Sequence, residues 1–344
     1  MHQFTLFIVA VASSAVVQSS EVAEQALRSA SARALQGNAA EAVALLERVP
    51  ASEFSEKDQV IRACMIDRFR ADSERQSDAA VGVAGQALRL YRSYWKSSLL
   101  HPETREANEG TLEEGLRSLL NLPADAAWDA IEAELRARLQ AEGGHVLMGR
   151  TPPLREFMLW RTENAEVRQV RLPEGQHAIK VKILDDFTSL GWAAYATCDR
   201  NFTGGWVRPE AIYAVGPGWK DKAAENYQVS FLAHETQHFA DKERFGELKS
   251  WELEYRAKLA ELALADTTQP RILSAFISNQ GSDPAVPHPY ANRIVVSWLA
   301  EELAVADPEA LRNVAPAAIR QAAKSLLVRD SRARKRNGGT SPGA

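Results

Sequence analysis

The chain has 344 residues, 45% hydrophobic and 25% charged, a globular balance long enough for two domains or one elaborated domain. A formal net charge of -4 argues against a general nucleic-acid binder. The two cysteines, Cys64 and Cys198, lie far apart and in no C-x-x-C pair; this excludes a cysteine zinc module and leaves open whether they form a disulfide.

Residues 1–20 read as an export signal. Residues 4–17 are an apolar run giving way to small and polar residues, and Ala10-Val11-Ala12 or Ser13-Ser14-Ala15 can precede a cleavage. The run is short of the roughly 20 residues that a membrane span needs. The expectation is a periplasmic or secreted protein with no stable membrane span after cleavage; the competing reading is a buried N-terminal helix, since His2 is the only potentially basic group ahead of the run.

Residues 21–145 are rich in Ala, Leu, Glu and Arg and read as a helical scaffold or recognition domain. Helices are expected at 21–36 and 39–49, joined by the stop signal Gly37-Asn38 and ended by Pro50. This pair resembles a tetratricopeptide hairpin, but no repeat of about 34 residues follows it, so an array is not expected. Further helices are expected at 56–70, 78–97, 102–121 and 124–141. The stripe Leu88, Leu90, Tyr91, Tyr94, Trp95 and Leu99 fits a helix-packing core better than a ligand grip.

Gly143-Gly144 and Thr151-Pro152-Pro153 mark a boundary. Short β-prone runs follow at 156–161, 167–172, 179–184, 191–197 and 205–215. They suggest a small, mostly antiparallel sheet in a second domain, 146–328. The run 205–215 is the last before the motif described next, and it is the candidate for pairing with an extended peptide; the alternative is an interior strand with both edges taken.

The motif is His234-Glu235-Thr236-Gln237-His238, within an expected helix capped by Asp221, running to about Phe245 and stopped by Gly246. Residues four apart share a helix face, so both imidazoles can reach one metal ion. Glu235, a quarter-turn away, can take a proton from water held there. Tyr227, Phe231, His234, His238, Asp241 and Phe245 form one stripe. Read as plain core, it would bury two histidines and an aspartate at a few kcal/mol each unless paired; a metal would satisfy them together.

The third ligand sets the class. A metzincin would need glycine and histidine where this chain has Asp241 and Arg244. A glutamate from the next helix, capped by Ser250, is the alternative. Glu252 and Glu254 point about 200° apart, so only one can face the metal. Glu254 is preferred because it shares a stripe with Ala257, Glu261 and Ala265, where small residues permit close approach. Glu252 can form a surface bridge to Arg256.

His234-Glu235-x-x-His238 with Glu254-Tyr255-Arg256-Ala257 downstream resembles the gluzincin metallopeptidases, most nearly the Glu-x-x-Ala-Asp helix of the HtpX-like peptidases, over residues 227–264. The resemblance implies Zn²⁺ held by His234, His238 and Glu254, with Glu235 as general base. Where that pattern has an aspartate orienting a ligand histidine, this chain has Lys258, and Asp241 is expected to take over that role. The membrane spans of the HtpX-like proteins have no counterpart here.

After an expected helix at 273–279, the Pro-rich stretch 280–292 reads as a rigid loop carrying His288 and Tyr290. Gluzincins commonly bring such groups to a developing oxyanion, while a loop that merely caps the next helix through Asn292 is the plainer reading. Closing helices are expected at 293–306 and 316–328, then a disordered basic tail, 329–344. The expectation is therefore an α+β, mainly helical protein: a helical domain, then a zincin-like domain with an active-site helix. As a zinc-dependent peptidase it would act on a peptide or protein substrate; the alternative is a non-enzymatic helical binding protein with a structural or vestigial metal site.

Overall fold

The computed structural model describes residues 18–71 and 81–336. The export-signal reading rests on residues 1–17 and lies outside the described residues, as do the start of the helix expected at 78 and the tail beyond 336. Among the described residues, no helix is long and apolar enough to cross a membrane. The protein is mainly helical, with one small mixed sheet.

Among the described residues six α-helices come first: α1 (Glu21–Leu35), α2 (Ala39–Glu47), α3 (Glu56–Arg70), α4 (Gly82–Leu100), α5 (Arg105–Leu120) and α6 (Trp128–Ala141). Ser20 and Asn38 cap α1 and α2 through their side-chain oxygens, each such cap contributing about 1 kcal/mol. The α1–α2 turn passes through Gly37 at φ 85, where a Cβ would strike Arg105 and Pro153. The α4 stripe is core as expected: Leu88, Tyr91, Tyr94, Trp95 and Leu99 are all buried. Tyr91 stacks on Phe157, with ring centroids 4.6 Å apart.

The strands are β1 (His145–Thr151), β2 (Leu154–Leu172), β3 (Gly175–Leu190), β4 (Gly205–Arg208) and β5 (Ala211–Val215), in the order β1-β2-β3-β5-β4. β1–β2 and β4–β5 are antiparallel, but β3–β5 is parallel, with Val181 opposite Ile212 and Leu184 opposite Val215. The sheet is thus mixed, because the chain leaves β3 and returns to its flank through a crossover. The expected strands 156–161 and 167–172 are parts of the single strand β2.

The crossover holds a correction. Residues 191–197, expected as a strand, form the short helix α7 (Trp192–Thr197). Gly191 turns the chain at φ 91, and the buried Glu156 carboxylate accepts the Trp192 N–H at 3.1 Å, acting as the cap that the local sequence lacks. A Cβ at position 191 would collide with that carboxylate. One residue past α7, Cys198 is disulfide-bonded to Cys64 of α3. Closing a loop of 134 residues restricts the unfolded chain by an amount equivalent to roughly 4–5 kcal/mol.

Two compact units result. The first comprises the described residues to Arg161 with Asp186–Phe202, and the second comprises Thr162–Asp185 with those from Thr203. The boundary expected at 145/146 is therefore corrected: β1, half of β2 and α7 share the core of the helical unit. In the second unit a π-helical stretch, Asn226–Ala233, leads without a break into α8 (His234–Phe245). There follow α9 (Ser250–Leu264), α10 (Gln269–Ser278), α11 (Pro287–Glu302) and α12 (Pro316–Arg336). Leu259, Leu262, Val295, Leu299 and Leu327 lie in the shared core of α9, α11 and α12, each worth about 1.5–3 kcal/mol of burial.

Two further expectations change here. The stretch 280–292 is not all loop, because α11 starts at Pro287. Proline suits a first helical turn, where N–H groups lack partners anyway. Asn292 does not cap that helix; it is buried inside it and donates to the Asn279 carbonyl at 2.6 Å. The tail from 329 is likewise not disordered as far as 336. It extends α12, and Arg334 is buried, bonded to Glu252 at 3.0 Å and Asp330 at 2.7 Å.

Candidate metal centre

Asp221 does not start the motif helix. It caps only the turn before it, accepting from the Ala223 N–H at 2.8 Å. The π-helical residues then build the approach: Tyr227 and Phe231 pack with Trp219, whose ring lies 5.4 and 4.8 Å from theirs. The His234 N–H closes the last wide turn on the Val229 carbonyl. Wide turns of this kind recur at functional sites because they rotate the following residues relative to an α-helix. From His234 onward the helix is α, Gly246 ends it at φ 74, and the two histidines stand four apart with perpendicular rings 5.0 Å between centroids.

Across from them α9 presents Glu254. Its Oε2 lies 3.4 Å from His234 Nε2, and its Oε1 lies 3.4 Å from His238 Nε2. One ligand atom from each of these three residues falls within 4.8 Å of the others, the spacing of donors around a single ion. The histidines are buried and Glu254 is nearly so. Burial works against ionisation of Glu254, but His234, His238 and His288 outweigh it and hold the carboxyl far below the usual range. Burial opposes protonation of His234 too, yet Glu254 and Glu261 push its pKa up to about 10.

The four remaining candidates fall in different places. Glu235 is half-buried and makes no hydrogen bond or ion pair among the described residues, so its carboxylate is uncommitted. His288, 63% exposed on the first turn of α11, brings Nδ1 within 2.9 Å of Glu254 Oε2. Tyr290 turns instead against Trp251, with ring centroids 5.3 Å apart. Asp241 does not serve the ligand histidines as expected. It is fully buried, and its Oδ1 accepts from Arg256 at 2.8 Å and Gln237 at 2.9 Å. Its burial pushes the carboxyl pKa up, with Arg256 and Gln237 opposing.

The group facing His234 from behind is Glu261, with Oε2 3.4 Å from Nδ1. Glu261 sits seven residues after Glu254, two turns along the same face of α9. That i, i+7 spacing is the signal in the sequence that marks Glu261 as a companion of Glu254. Lys258 lies between the two, buried over the Phe276 ring at 4.6 Å, its pKa lowered by burial while both glutamates pull it the other way.

Behind His234, His238 and Glu254 runs a buried ionic network. Arg256 is completely buried and bonds Asp241 on α8, Asp330 on α12, Ser331 Oγ at 2.9 Å and Glu174 at 3.4 Å in the β2–β3 turn. Glu252 is not at the surface and does not pair with Arg256 as expected. It is buried, takes Arg334, and accepts the Lys249 N–H at 3.0 Å to cap α9. α8, α9 and α12 are therefore fixed to one another next to His234, His238 and Glu254.

The expected substrate strand divides in two. β5 is interior, whereas among the described residues β4 is the sheet's edge strand and pairs with β5. At Gly205 its backbone passes so close to the Phe231 ring that no Cβ would fit, three residues before His234. Compared with protein-family models, curated proteins and solved structures, the chain matches none.

Proposed function

We propose that this chain is a zinc-dependent hydrolase with a gluzincin-like, zincin-type site, and that its substrates are peptides. The observation that carries the reading is the convergence of His234, His238 and Glu254 beside the uncommitted carboxylate of Glu235. Two imidazoles and one carboxylate are a donor set suited to catalytic zinc, which keeps one position open. When bound, zinc would supply a Lewis acid for the scissile carbonyl and lower the pKa of water. Glu235 would accept the proton of the attacking water and return it to the leaving amine. His288 would donate to the carbonyl oxygen as it gains charge, a role for which Tyr290, packed on Trp251, is less well placed. The outer edge of β4 would hold an extended substrate through main-chain hydrogen bonds. The Cys64–Cys198 disulfide supports an oxidising compartment, in keeping with export.

A second reading, a helical binding protein with a structural metal, draws on one feature. His288 stands close enough to Glu254 that a small ring movement could fill the fourth position. Cleavage of a mixed peptide library separates the two. The zinc-loaded protein should cleave and a chelator should stop it, while Glu235→Gln should keep zinc and lose at least about a hundredfold in rate. No cleavage by zinc-loaded protein, or equal rates for Glu235→Gln, would favour the structural reading.

A further inference from the structure

The first unit contains a cavity of about 420 Å³ that belongs to no part of the metal centre. This is within the range of small-molecule sites. One wall is a face of α3: Cys64, Asp67 and Arg68 recur at helical spacing. A second wall is α4, which contributes Arg92 and Trp95 one turn apart, and α7 closes the floor with Ala194 and Tyr195. The Trp95 and Tyr195 rings lie 5.5 Å apart and are themselves buried, so they back the cavity, and the half-buried Phe187 and Leu190 present its apolar surface.

The charges are unequally committed. Arg68 donates to the Tyr195 carbonyl and lies 4.8 Å from the centroid of that ring, which fixes its guanidinium. Arg92 is half-buried and makes no hydrogen bond or ion pair among the described residues. A partly desolvated guanidinium without a counter-ion gains strongly from a planar anion, which it can bind through two parallel N–H groups. Asp67 and Asp199, both exposed on the lining, cancel the two arginines in formal charge, so the cavity has no surplus field for a polyanion such as a phosphate ester.

We propose that this cavity binds a monocarboxylate with an apolar body, its carboxylate on Arg92 and its body against Phe187 and Leu190. A free carboxylic acid and the C-terminal residue of a peptide share this chemistry. The inference stands apart from the metal centre and does not depend on hydrolysis.

Calorimetric titration of the full-length protein tests it with N-acetylphenylalanine, its amide, and a tripeptide ending in phenylalanine. The acid should bind, the amide should bind about tenfold or more weakly, and the tripeptide should match the acid if the main chain is accommodated. Arg92→Gln should reduce acid binding by a similar factor, with Arg92→Lys between the two, while zinc content and thermal unfolding stay unchanged. Tripeptide binding without acid binding, or the reverse, would identify the source and still support the site. Equal affinity for acid and amide, no binding of either carboxylate to about 10 mM, or Arg92→Gln binding as tightly as the parent would overturn it.

Discussion

Arg256 donates to Asp241 across 2.8 Å, and both side chains are fully buried. The bond ties α9, which carries Glu254 two residues before the arginine, to α8, which carries His238 three residues before the aspartate. Removing the arginine would leave Asp241 and Asp330 as buried acids without their shared cation. Arg256→Ala is expected to cost about 3–5 kcal/mol in chemical denaturation. Arg256→Lys should recover only part, since one ammonium cannot reproduce bonds to Asp241, Asp330 and Ser331 together. A loss under about 1 kcal/mol for Arg256→Ala would mean that the network does not hold these helices.

Glu261 faces His234 Nδ1 at 3.4 Å, on the side of the ring opposite the Nε2 that faces Glu254. Groups in this position commonly alter metal affinity by about 10–100-fold. Glu261→Gln is expected to weaken zinc binding by at least about tenfold in competition with a chromogenic chelator, and Asp241→Asn to act mainly through stability. If Asp241→Asn weakened zinc more than Glu261→Gln at equal stability, the roles would be reversed.

Glu156 sets a pH dependence in the first unit. Burial pushes its carboxyl up to about 7, against 4.5 for an exposed glutamate, while the Trp192 and Phe157 N–H groups pull the other way. Between these values the folded chain holds a proton that the unfolded chain has released. The contribution of Glu156 to stability therefore falls as pH rises from about 4.5 to 7, by about 3 kcal/mol, and levels off above. Glu156→Gln keeps an acceptor for the Trp192 N–H and has no such proton. The stability of the variant relative to the parent should rise across that interval, and a flat difference would show that Glu156 ionises normally.

The sequence was informative where the site's geometry follows a short-range period. The i, i+4 histidines and the choice of Glu254 over Glu252 both came from helical phase, and Glu254 is the acid that faces both rings. It was silent where distant residues decide. Residues 191–197 carry the Trp and Tyr of a strand, but Glu156, 36 positions from Trp192, caps them as helix. Arg334 looked like part of a solvated tail because its partner Glu252 is 82 residues away. The prolines that suggested a loop at 280–292 instead begin α11 and deliver His288 to the site. The wide turns before His234 leave no signature in composition, since they differ from α only in which carbonyl each N–H chooses.

The most direct measurement is the zinc content of purified protein, stripped with chelator, reloaded and assayed by elemental analysis, alongside His238→Ala and Glu254→Gln. The parent should hold about one zinc per chain, and each variant should fall well below that while remaining folded, as expected for loss of one of three protein ligands. A parent that binds no zinc, or folded variants that retain a full equivalent, would contradict a metal centre at His234, His238 and Glu254.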